Sequence, residues 1–200
     1  MATFKFIDLF AGIGGLRIPF DELGGECVFT SELDPHARET YLLNFHDSHP
    51  IDTDLSTADL EQIPDHDLVL AGFPCQPFSH AGKKQGFADT RGTLFFFIAE
   101  IARLHRPKAL LLENVRGLLN HDQGNTFRRI RETLDELGYR VEHKILNARD
   151  YGLPQNRQRI FIVALRDDIE GTFLFPEPTH KRENLRLAQI LDADPSDKLT

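Results

Sequence analysis

The sequence predicts an α/β protein whose mostly parallel sheet carries helices on both faces and ends in an antiparallel strand pair. Strand-like apolar runs alternate with helix-like stretches as far as residue 137, which is typical of sheets built from strand–helix–strand units. Residues 139–146 and 159–165 then have the pattern of two strands joined by a Gly-Leu-Pro loop without a helix. Strands connected in this way are most simply antiparallel.

Apolar runs and helix-end residues predict the first two strand–helix units. Strands are expected at residues 4–10, 26–32 and, briefly, near 51, and helices at residues 14–23 and 35–45. Asp34 should cap the second helix, because its carboxylate can accept hydrogen bonds from first-turn amides. Pro35 suits the first helical position, where its missing amide hydrogen is not needed. Gly24 and Gly25 should end the first helix.

The alternation continues to the antiparallel pair. Strands are expected at residues 67–71 and 108–113, and helices at residues 93–104 and 126–137. Gly138 should end the last of these helices, because glycine readily adopts the left-handed conformation found just past helix ends. The remainder contains three prolines and one helix-like stretch, 185–191. We therefore expect one folded domain over residues 1–165 and a weakly structured tail over residues 166–200.

Composition narrows the classes of protein. No apolar run approaches the roughly 20 residues that span a bilayer, and the N-terminus lacks a signal-peptide pattern, so we expect a cytoplasmic protein without membrane contact. The two cysteines are expected to be free thiols, and the nine histidines show no metal-ligand spacing, which predicts no metal. The formal net charge of −8 is unusual for a stand-alone nucleic-acid binder. Any contact with nucleic acid must therefore come from local residues or from another part of the protein.

A glycine turn follows the first predicted strand. Gly12, Gly14 and Gly15 can take positive φ and allow a ligand to approach closely, at the sheet edge where doubly wound folds bind nucleotides. Glu32 ends the second strand and could accept hydrogen bonds from both ribose hydroxyls. The glycine spacing differs from the dinucleotide pattern, so a nucleoside cofactor without a pyrophosphate fits better than NAD. A turn with no ligand is the alternative.

Cys75 lies between Pro74 and Pro77, just past the fourth predicted strand. Prolines fix φ and stiffen the loop, which should lie at the same sheet edge as the glycine turn. A nucleophilic cysteine acts as a thiolate and needs positive charge or hydrogen-bond donors nearby. Cys27, inside an apolar strand, is instead expected to be a small buried hydrophobic residue.

Four separated motifs follow one another along the chain. They are Asp8-Leu9-Phe10-Ala11-Gly12-Ile13-Gly14-Gly15, Gly72-Phe73-Pro74-Cys75-Gln76-Pro77-Phe78-Ser79, Glu113-Asn114-Val115 and Gln155-Asn156-Arg157-Gln158-Arg159. In order and spacing they resemble the cytosine-C5 DNA methyltransferase family, most closely its bacterial restriction–modification members. The resemblance extends from residue 6 to about residue 165. It implies the Rossmann-like fold of S-adenosylmethionine-dependent methyltransferases, with residues 1–165 as the catalytic and cofactor-binding domain.

The resemblance also implies a reaction, the transfer of a methyl group from S-adenosylmethionine to C5 of cytosine in duplex DNA. Cys75 would add to C6 of a base flipped out of the duplex, and Glu113 would share a proton at the N3 edge. Arg159 would contact the base, with Arg157 in support; their alternation along a strand would put both on one face. The alternative for Glu113 is that it caps the next helix. The alternative for Arg157 and Arg159 is that they form a basic strand edge that faces water.

The resemblance further implies the residues that bind the cofactor and DNA. The cofactor residues are Phe10, Gly12, Ile13, Gly15, Glu32, Leu33, Asp54, Leu55, Pro74 and Leu94, and the DNA-binding residues are Gln76, Ser79, Lys83 and Arg91. Asp54 would read the adenine amino group, but Asp52 is an alternative because Thr53 replaces the glycine usual in the family. Leu33 replaces a frequent aromatic residue. The alternative for Lys83 and its neighbour Lys84 is that they belong to a basic loop that faces water.

Family members continue with a target-recognition domain and a final segment that completes the cofactor pocket. We therefore expect this chain to be half of a split enzyme or a shortened form, which a complementary C-terminal chain would complete. A tRNA cytosine methyltransferase and a non-catalytic scaffold are the rival functions. Gly72-Phe73-Pro74 favours a DNA enzyme, and intact Cys75, Glu113 and Arg159 argue against a scaffold.

Overall fold

A computed structural model describes residues 3–52, 54–74, 94–181 and 185–191, and these residues form one seven-stranded sheet with four α-helices. The strands are β1 (Phe4–Leu9), β2 (Gly25–Ser31), β3 (Ile51–Asp52), β4 (Leu68–Gly72), β5 (Ala109–Val115), β6 (Tyr139–Asn147) and β7 (Gln158–Arg166). The helices are α1 (Ile18–Glu22), α2 (Pro35–Asn44), α3 (Leu94–His105) and α4 (Asn125–Glu136). The predicted fold class is confirmed. No helix in the described ranges is long and apolar enough to cross a membrane.

The strand order is β3-β2-β1-β4-β5-β7-β6. The first five strands pair in parallel, whereas β7 is antiparallel to both β5 and β6. The predicted antiparallel pair is therefore confirmed, and β7 enters the sheet between β5 and β6. Because parallel neighbours end at the same sheet edge, the segments that follow β1, β2 and β4 meet there.

One sheet face packs against α3 and α4. The buried residues of α3 include Phe95, Ile98, Ala99 and Ala102, whose spacing places them on one side of a helix. They join side chains from the central strands, such as Val69, in the main core, where most members are fully buried. This apolar contact, at about 25 cal/mol per Å² of buried surface, is the main source of stability.

The opposite face is only partly covered. Phe20 of α1 packs near Phe4 and Phe6 over the β1 side of the sheet. Farther along the same face, Leu68, Leu111 and Phe161 are only partly buried. None of the described helices covers this part of the sheet to the extent that α3 and α4 cover the other face.

Two helix predictions need correction. Residues 14–23 were expected to form a helix, but α1 begins only at Ile18. Gly14 has a φ of +89°, which a right-handed helix cannot accommodate. Residues 185–191 contain only a 3₁₀ turn, Leu187–Gln189. Leu187, Ile190 and Leu191 remain exposed, and so short a helix is not stable without apolar packing. Asp34, by contrast, caps α2 as predicted and accepts a 2.8 Å hydrogen bond from the Ala37 amide.

Replacing Gly14 with alanine is expected to destabilise the chain by about 2–4 kcal/mol. The left-handed backbone costs an alanine about 1–2 kcal/mol, and its Cβ would overlap the Phe45 ring, which adds a similar amount. Urea denaturation followed by circular dichroism measures the change. Gly15→Ala is the matched control, because a Cβ there meets nothing within 4 Å. Equal losses from both substitutions would contradict this explanation.

Candidate functional site

The glycine turn and the end of β2 are joined by Glu32. One carboxylate oxygen of Glu32 accepts a 2.7 Å hydrogen bond from the Gly12 amide, and the other accepts a 2.8 Å bond from the Asp34 amide. A carboxylate has about four acceptor positions, so each oxygen keeps capacity for a further donor. These two bonds fix the position of the Glu32 carboxylate, and each of its oxygens can still accept a further hydrogen bond.

A pocket of about 70 Å³ lies beside Glu32. Its walls include six of the predicted cofactor residues, and these are Phe10, Glu32, Leu33, Asp54, Leu55 and Leu94. Phe10 has a φ of +54°, a conformation uncommon outside glycine that is often found at functional sites. The sequence therefore identified residues from four separate segments that the fold brings together.

Asp54, rather than Asp52, lines this pocket. Asp52 belongs to β3, and its side chain accepts a 3.0 Å hydrogen bond from the Asp54 amide. Hydrogen bonds from the side chain and backbone of Ser56 hold the pKa of the Asp54 carboxyl below its ordinary value. Of the two acids that the sequence left open, only Asp54 lines this pocket, and the adenine-binding role stays a prediction.

A larger cavity of about 670 Å³ lies on the partly covered face of the sheet. It shares Phe10 with the small pocket. The predicted residues on its walls, besides Phe10, are Ile13, Gly15, Glu113, Arg157 and Arg159. Gly12 lines neither space and instead binds Glu32, and Pro74 is exposed and lines neither.

Glu113 and Arg159 form an ion pair inside the large cavity. The distance from Arg159 Nε to Glu113 Oε1 is 2.9 Å, and about a quarter or less of each side chain is exposed. The two residues come from the adjacent strands β5 and β7, and their side chains share a sheet face because Arg159 stands opposite Val115, two residues beyond Glu113. The cavity thus contains a carboxylate and a guanidinium in direct contact.

Arg157 reaches the cavity by a route that the sequence analysis did not predict. It lies before β7, which begins at Gln158, so strand alternation with Arg159 is not the reason that the two share the cavity. Its amide donates to the Gln155 carbonyl at 3.0 Å, and its carbonyl accepts from the Ala148 amide at 3.0 Å. A turn at the start of the strand therefore positions this side chain.

The connection between β6 and β7 supplies cavity walls that sequence reasoning missed. Tyr151 and Leu153 lie in it and line the large cavity. The tail fastens this connection, since the amides of Thr179 and His180 donate to the Asp150 carbonyl at 3.0 and 3.1 Å. The Tyr151 hydroxyl donates to the Pro176 carbonyl at 3.0 Å. The sequence could have pointed to these two residues, because they are an aromatic and an aliphatic residue in a loop that joins two strands at the sheet edge where a ligand is expected.

Sequence reasoning also missed Asp8, an acid inside the apolar strand β1. It lines the large cavity but is only 1% exposed. Its Oδ2 accepts a 3.4 Å hydrogen bond from the Tyr41 hydroxyl, and its Oδ1 has no partner among the described residues. Burial raises the pKa of the Asp8 carboxyl to about 7, although the nearby Arg17 charge opposes this rise.

Asp8 should make stability depend on pH. Its pKa in the folded chain lies above the unfolded value of 3.8, so between about pH 4 and pH 7 the folded state binds more protons and stability falls as pH rises. The penalty amounts to about 4 kcal/mol and is fully present above pH 7. We expect Asp8→Asn to remove this dependence, so that its unfolding free energy gains on that of the parent chain from pH 4.5 to pH 8. Parallel urea-denaturation profiles would contradict the expectation.

Within the described ranges, one group of metal-ligating residue types lies outside the two pockets. Ligand atoms of Cys27, Asp47 and His49 lie within 4.8 Å of one another. Both Asp47 oxygens accept hydrogen bonds from the Arg17 guanidinium, at 2.5 and 2.7 Å. The guanidinium therefore occupies the carboxylate and places a positive charge where a metal would bind. Cys27 is buried, as the sequence predicted.

Five predicted residues, Cys75, Gln76, Ser79, Lys83 and Arg91, lie outside the described residues, and their roles remain predictions. The described chain leads toward them from Gly72, which lines the large cavity and pairs with Glu113 across β4 and β5. The Phe73 carbonyl accepts a 2.7 Å hydrogen bond from the buried Asn114 side chain. This bond links β5 to the residue that follows β4, where the chain leads into the segment that contains Cys75.

A family model for C-5 cytosine-specific DNA methylases matches residues 4–199. The chain belongs to this family. The resemblance inferred from the four motifs is therefore confirmed.

The methylase relatives include bacterial Type II methyltransferases. M.DsaV of Dactylococcopsis salina is 50% identical over 98% of this chain and 55% of its own length, and M.HaeII of Haemophilus aegyptius is 53% identical over 97% and 59%. A crystal structure of a Spodoptera frugiperda DNMT2 variant aligns with a TM-score of 0.69 at 26% identity and covers 88% of this chain and 53% of that one. The chain thus spans little more than half the length of these relatives.

Proposed function

We propose that this chain supplies the catalytic and cofactor-binding half of a DNA cytosine-5 methyltransferase. The observation that carries the proposal is the Glu113–Arg159 ion pair, which lies in a cavity that shares Phe10 with a pocket bordered by Glu32 and Asp54. A carboxyl and a guanidinium suit the polar edge of a pyrimidine, and the two other acids suit a nucleoside. The family match supports the same chemistry.

The described residues fit S-adenosylmethionine, which would supply an electrophilic methyl group. Glu32 keeps acceptor capacity on both oxygens for the two ribose hydroxyls. Asp54 would accept a hydrogen bond from the adenine amino group, with Phe10 and Leu55 against the ring. Ile13 and Gly15 would line the methionine part on the other side of Phe10.

The target base would react in the larger cavity. The Cys75 thiolate would form a bond to C6 of the flipped cytosine, and the electron pair of the C5–C6 double bond would shift to C5. C5 would then take the methyl group as the bond from that methyl to the cofactor sulfur breaks and S-adenosylhomocysteine leaves. Glu113 would share a proton with the N3 edge, where charge develops, and Arg159 would contact O2 and favour the thiolate form of Cys75. Transfer of the C5 proton to a base would then re-form the C5–C6 double bond, break the bond from C6 to sulfur and release the Cys75 thiolate.

Duplex DNA would be held mainly by residues beyond the described core. We assign phosphate and base contacts to Gln76, Ser79, Lys83 and Arg91, and target reading to a complementary C-terminal chain. The partly exposed apolar residues Leu68, Leu111 and Phe161 offer a surface that such a complement could cover. Likeness to bacterial Type II methyltransferases supports a bacterial cytoplasmic enzyme.

Methyl incorporation from labelled S-adenosylmethionine tests this function. The chain would be assayed alone and together with the C-terminal region of M.HaeII that follows the matched segment, with duplex DNA and tRNA as separate substrates. We expect sequence-specific labelling of DNA with the complement and little or none without it. Robust specific methylation by the chain alone would contradict the need for a complement.

Two further outcomes identify the rival functions. Labelling of tRNA without labelling of DNA would favour a tRNA cytosine methyltransferase. Absence of a covalent adduct with fluorocytosine DNA, even with the complement, would favour a scaffold. The Type II methyltransferase relatives, at about 50% identity, favour DNA.

A further inference from the structure

Residues 176–180 of the tail form a strap that lies on the connection between β6 and β7. All five residues of the strap are exposed, so their burial adds little to stability. Two amides of the strap nevertheless donate to the Asp150 carbonyl, at 3.0 and 3.1 Å, and the Tyr151 hydroxyl donates to the Pro176 carbonyl at 3.0 Å. The strap is therefore attached to the connection by hydrogen bonds rather than by an apolar core.

Gly152 brings the strap and the connection into close contact. It has a φ of +101°, a conformation that favours glycine. A Cβ at this position would lie 3.0 Å from Cε1 of the His180 ring, closer than the roughly 3.5–4.0 Å at which carbon atoms pack best. The His180 ring thus lies directly against the backbone of the connection, so the two segments fix each other's position.

The connection borders the part of the large cavity that contains Arg159. Three of its residues, Ala148, Tyr151 and Leu153, line the cavity. It follows directly on β6, in which Leu146 pairs with Arg159 of β7. The glycine turn follows β1, which is three strand positions from β7 and so about 14 Å away. The strap therefore acts on the side of the cavity that we assign to the target base.

We propose that the strap positions the wall formed by Tyr151 and Leu153 for the target cytosine. This role rests on the proposed function and extends it to residues that line neither pocket. Residues 148–151 include no buried side chain, so contacts from outside must hold this part of the wall in place. Precise placement matters because a shift on the order of 1 Å can lower the rate of an enzyme by about 100-fold.

Hydrogen exchange of the chain alone tests whether the strap holds the connection. Tyr151→Phe removes the hydroxyl that binds Pro176 and keeps the ring. The strap amides that bind Asp150, and the Leu153 amide that donates to the Ala148 carbonyl at 3.2 Å, report on the two segments. We expect both to exchange about 2- to 10-fold faster, the effect of one lost hydrogen bond. Unchanged exchange in both segments would overturn the proposal.

Single-turnover methylation of duplex DNA by the completed enzyme tests the effect on the target base. Tyr151→Phe and His180→Ala, which removes the ring that lies against the connection, should each lower the rate by about 10-fold. The affinity for S-adenosylhomocysteine, measured by calorimetry, should stay within about 2-fold. Glu32 and Asp54 follow β2 and β3, at the opposite end of the strand order from β6. An unchanged rate, or an equal loss of cofactor affinity, would overturn the proposal.

Glu177→Gln is the matched control within the strap. The Glu177 side chain is 85% exposed and pairs with Lys144 of β6 at 3.3 Å, and exposed ion pairs contribute little. This variant should match the parent in exchange, rate and affinity. A 10-fold loss of rate here as well would overturn the role of the connection. Failure of the completed parent enzyme to methylate DNA would contradict the proposed function and the positioning role with it, although exchange in the chain alone does not depend on that activity.

Discussion

Replacing Cys75 with serine is expected to lower methyl transfer by the completed enzyme by ~10³-fold or more. A serine hydroxyl is not ionised near neutral pH, so it cannot add to C6 as a thiolate does, and loss of a covalent nucleophile costs orders of magnitude in rate. Methyl incorporation into duplex DNA gives the rate, and denaturation-resistant complexes with fluorocytosine DNA report the covalent bond. Both signals should be lost, while S-adenosylhomocysteine still binds.

Cys27 provides the matched control for this substitution. It is the other cysteine of the chain, is 8% exposed in β2 and contacts the Thr30 hydroxyl. Burial raises the pKa of its thiol to about 11, so it is not ionised at neutral pH. Cys27→Ser should therefore leave the catalytic rate and the fluorocytosine adduct unchanged. Retained activity in Cys75→Ser, or loss of it in Cys27→Ser alone, would refute the assignment of the nucleophile.

Glu113→Gln should reduce the catalytic rate by about 10²- to 10⁴-fold, the usual contribution of a positioned acid or base. The amide cannot share a proton with the N3 edge, and it also removes the negative partner of Arg159. Single-turnover methylation measures the step, and calorimetry with S-adenosylhomocysteine measures cofactor binding. We expect the loss in the rate, with cofactor affinity changed by less than about 3-fold.

Glu39→Gln is the control for Glu113→Gln, because Glu39 is exposed on α2 and lines neither pocket. It should behave as the parent chain in both measurements. A Glu113→Gln variant that loses cofactor affinity and keeps its single-turnover rate would show that Glu113 serves the cofactor rather than the base.

The sequence predicted the sheet well because apolar strand runs and helix-end residues are local signals. The capped start of α2 at Asp34 follows from such signals. The predictions failed where distant packing decides the conformation. Residues 14–17 have helix-like sequence, but the turn conformation of Gly14 delays α1 until Ile18. Residues 185–191 have helical periodicity without a surface against which to bury their apolar side.

At the site, sequence reasoning identified the residues that motifs mark and missed those that only packing brings near. Glu32 and Asp54 were both selected, and the sequence could not show that Asp54 lines the small pocket and Asp52 does not. Arg157 was selected for strand alternation and reaches the cavity through a turn instead. Tyr151 and Leu153 have no motif-derived role, and they line the cavity because the tail holds their loop against the sheet edge.

The amino-acid sequence by itself determined the order of the elements and the types of chemical group at the edge of the sheet, because periodicity and short motifs are encoded locally. Only the tertiary structure decided which of those groups touch. The Glu113–Arg159 contact depends on the register of two antiparallel strands. Asp8 Oδ1, which has no hydrogen-bond partner within the described part of the chain, is buried by residues far away in the sequence. Whether a buried polar atom has a hydrogen-bond partner depends on its three-dimensional surroundings. The sequence around Asp8 therefore could not show that its Oδ1 has no donor among the described residues.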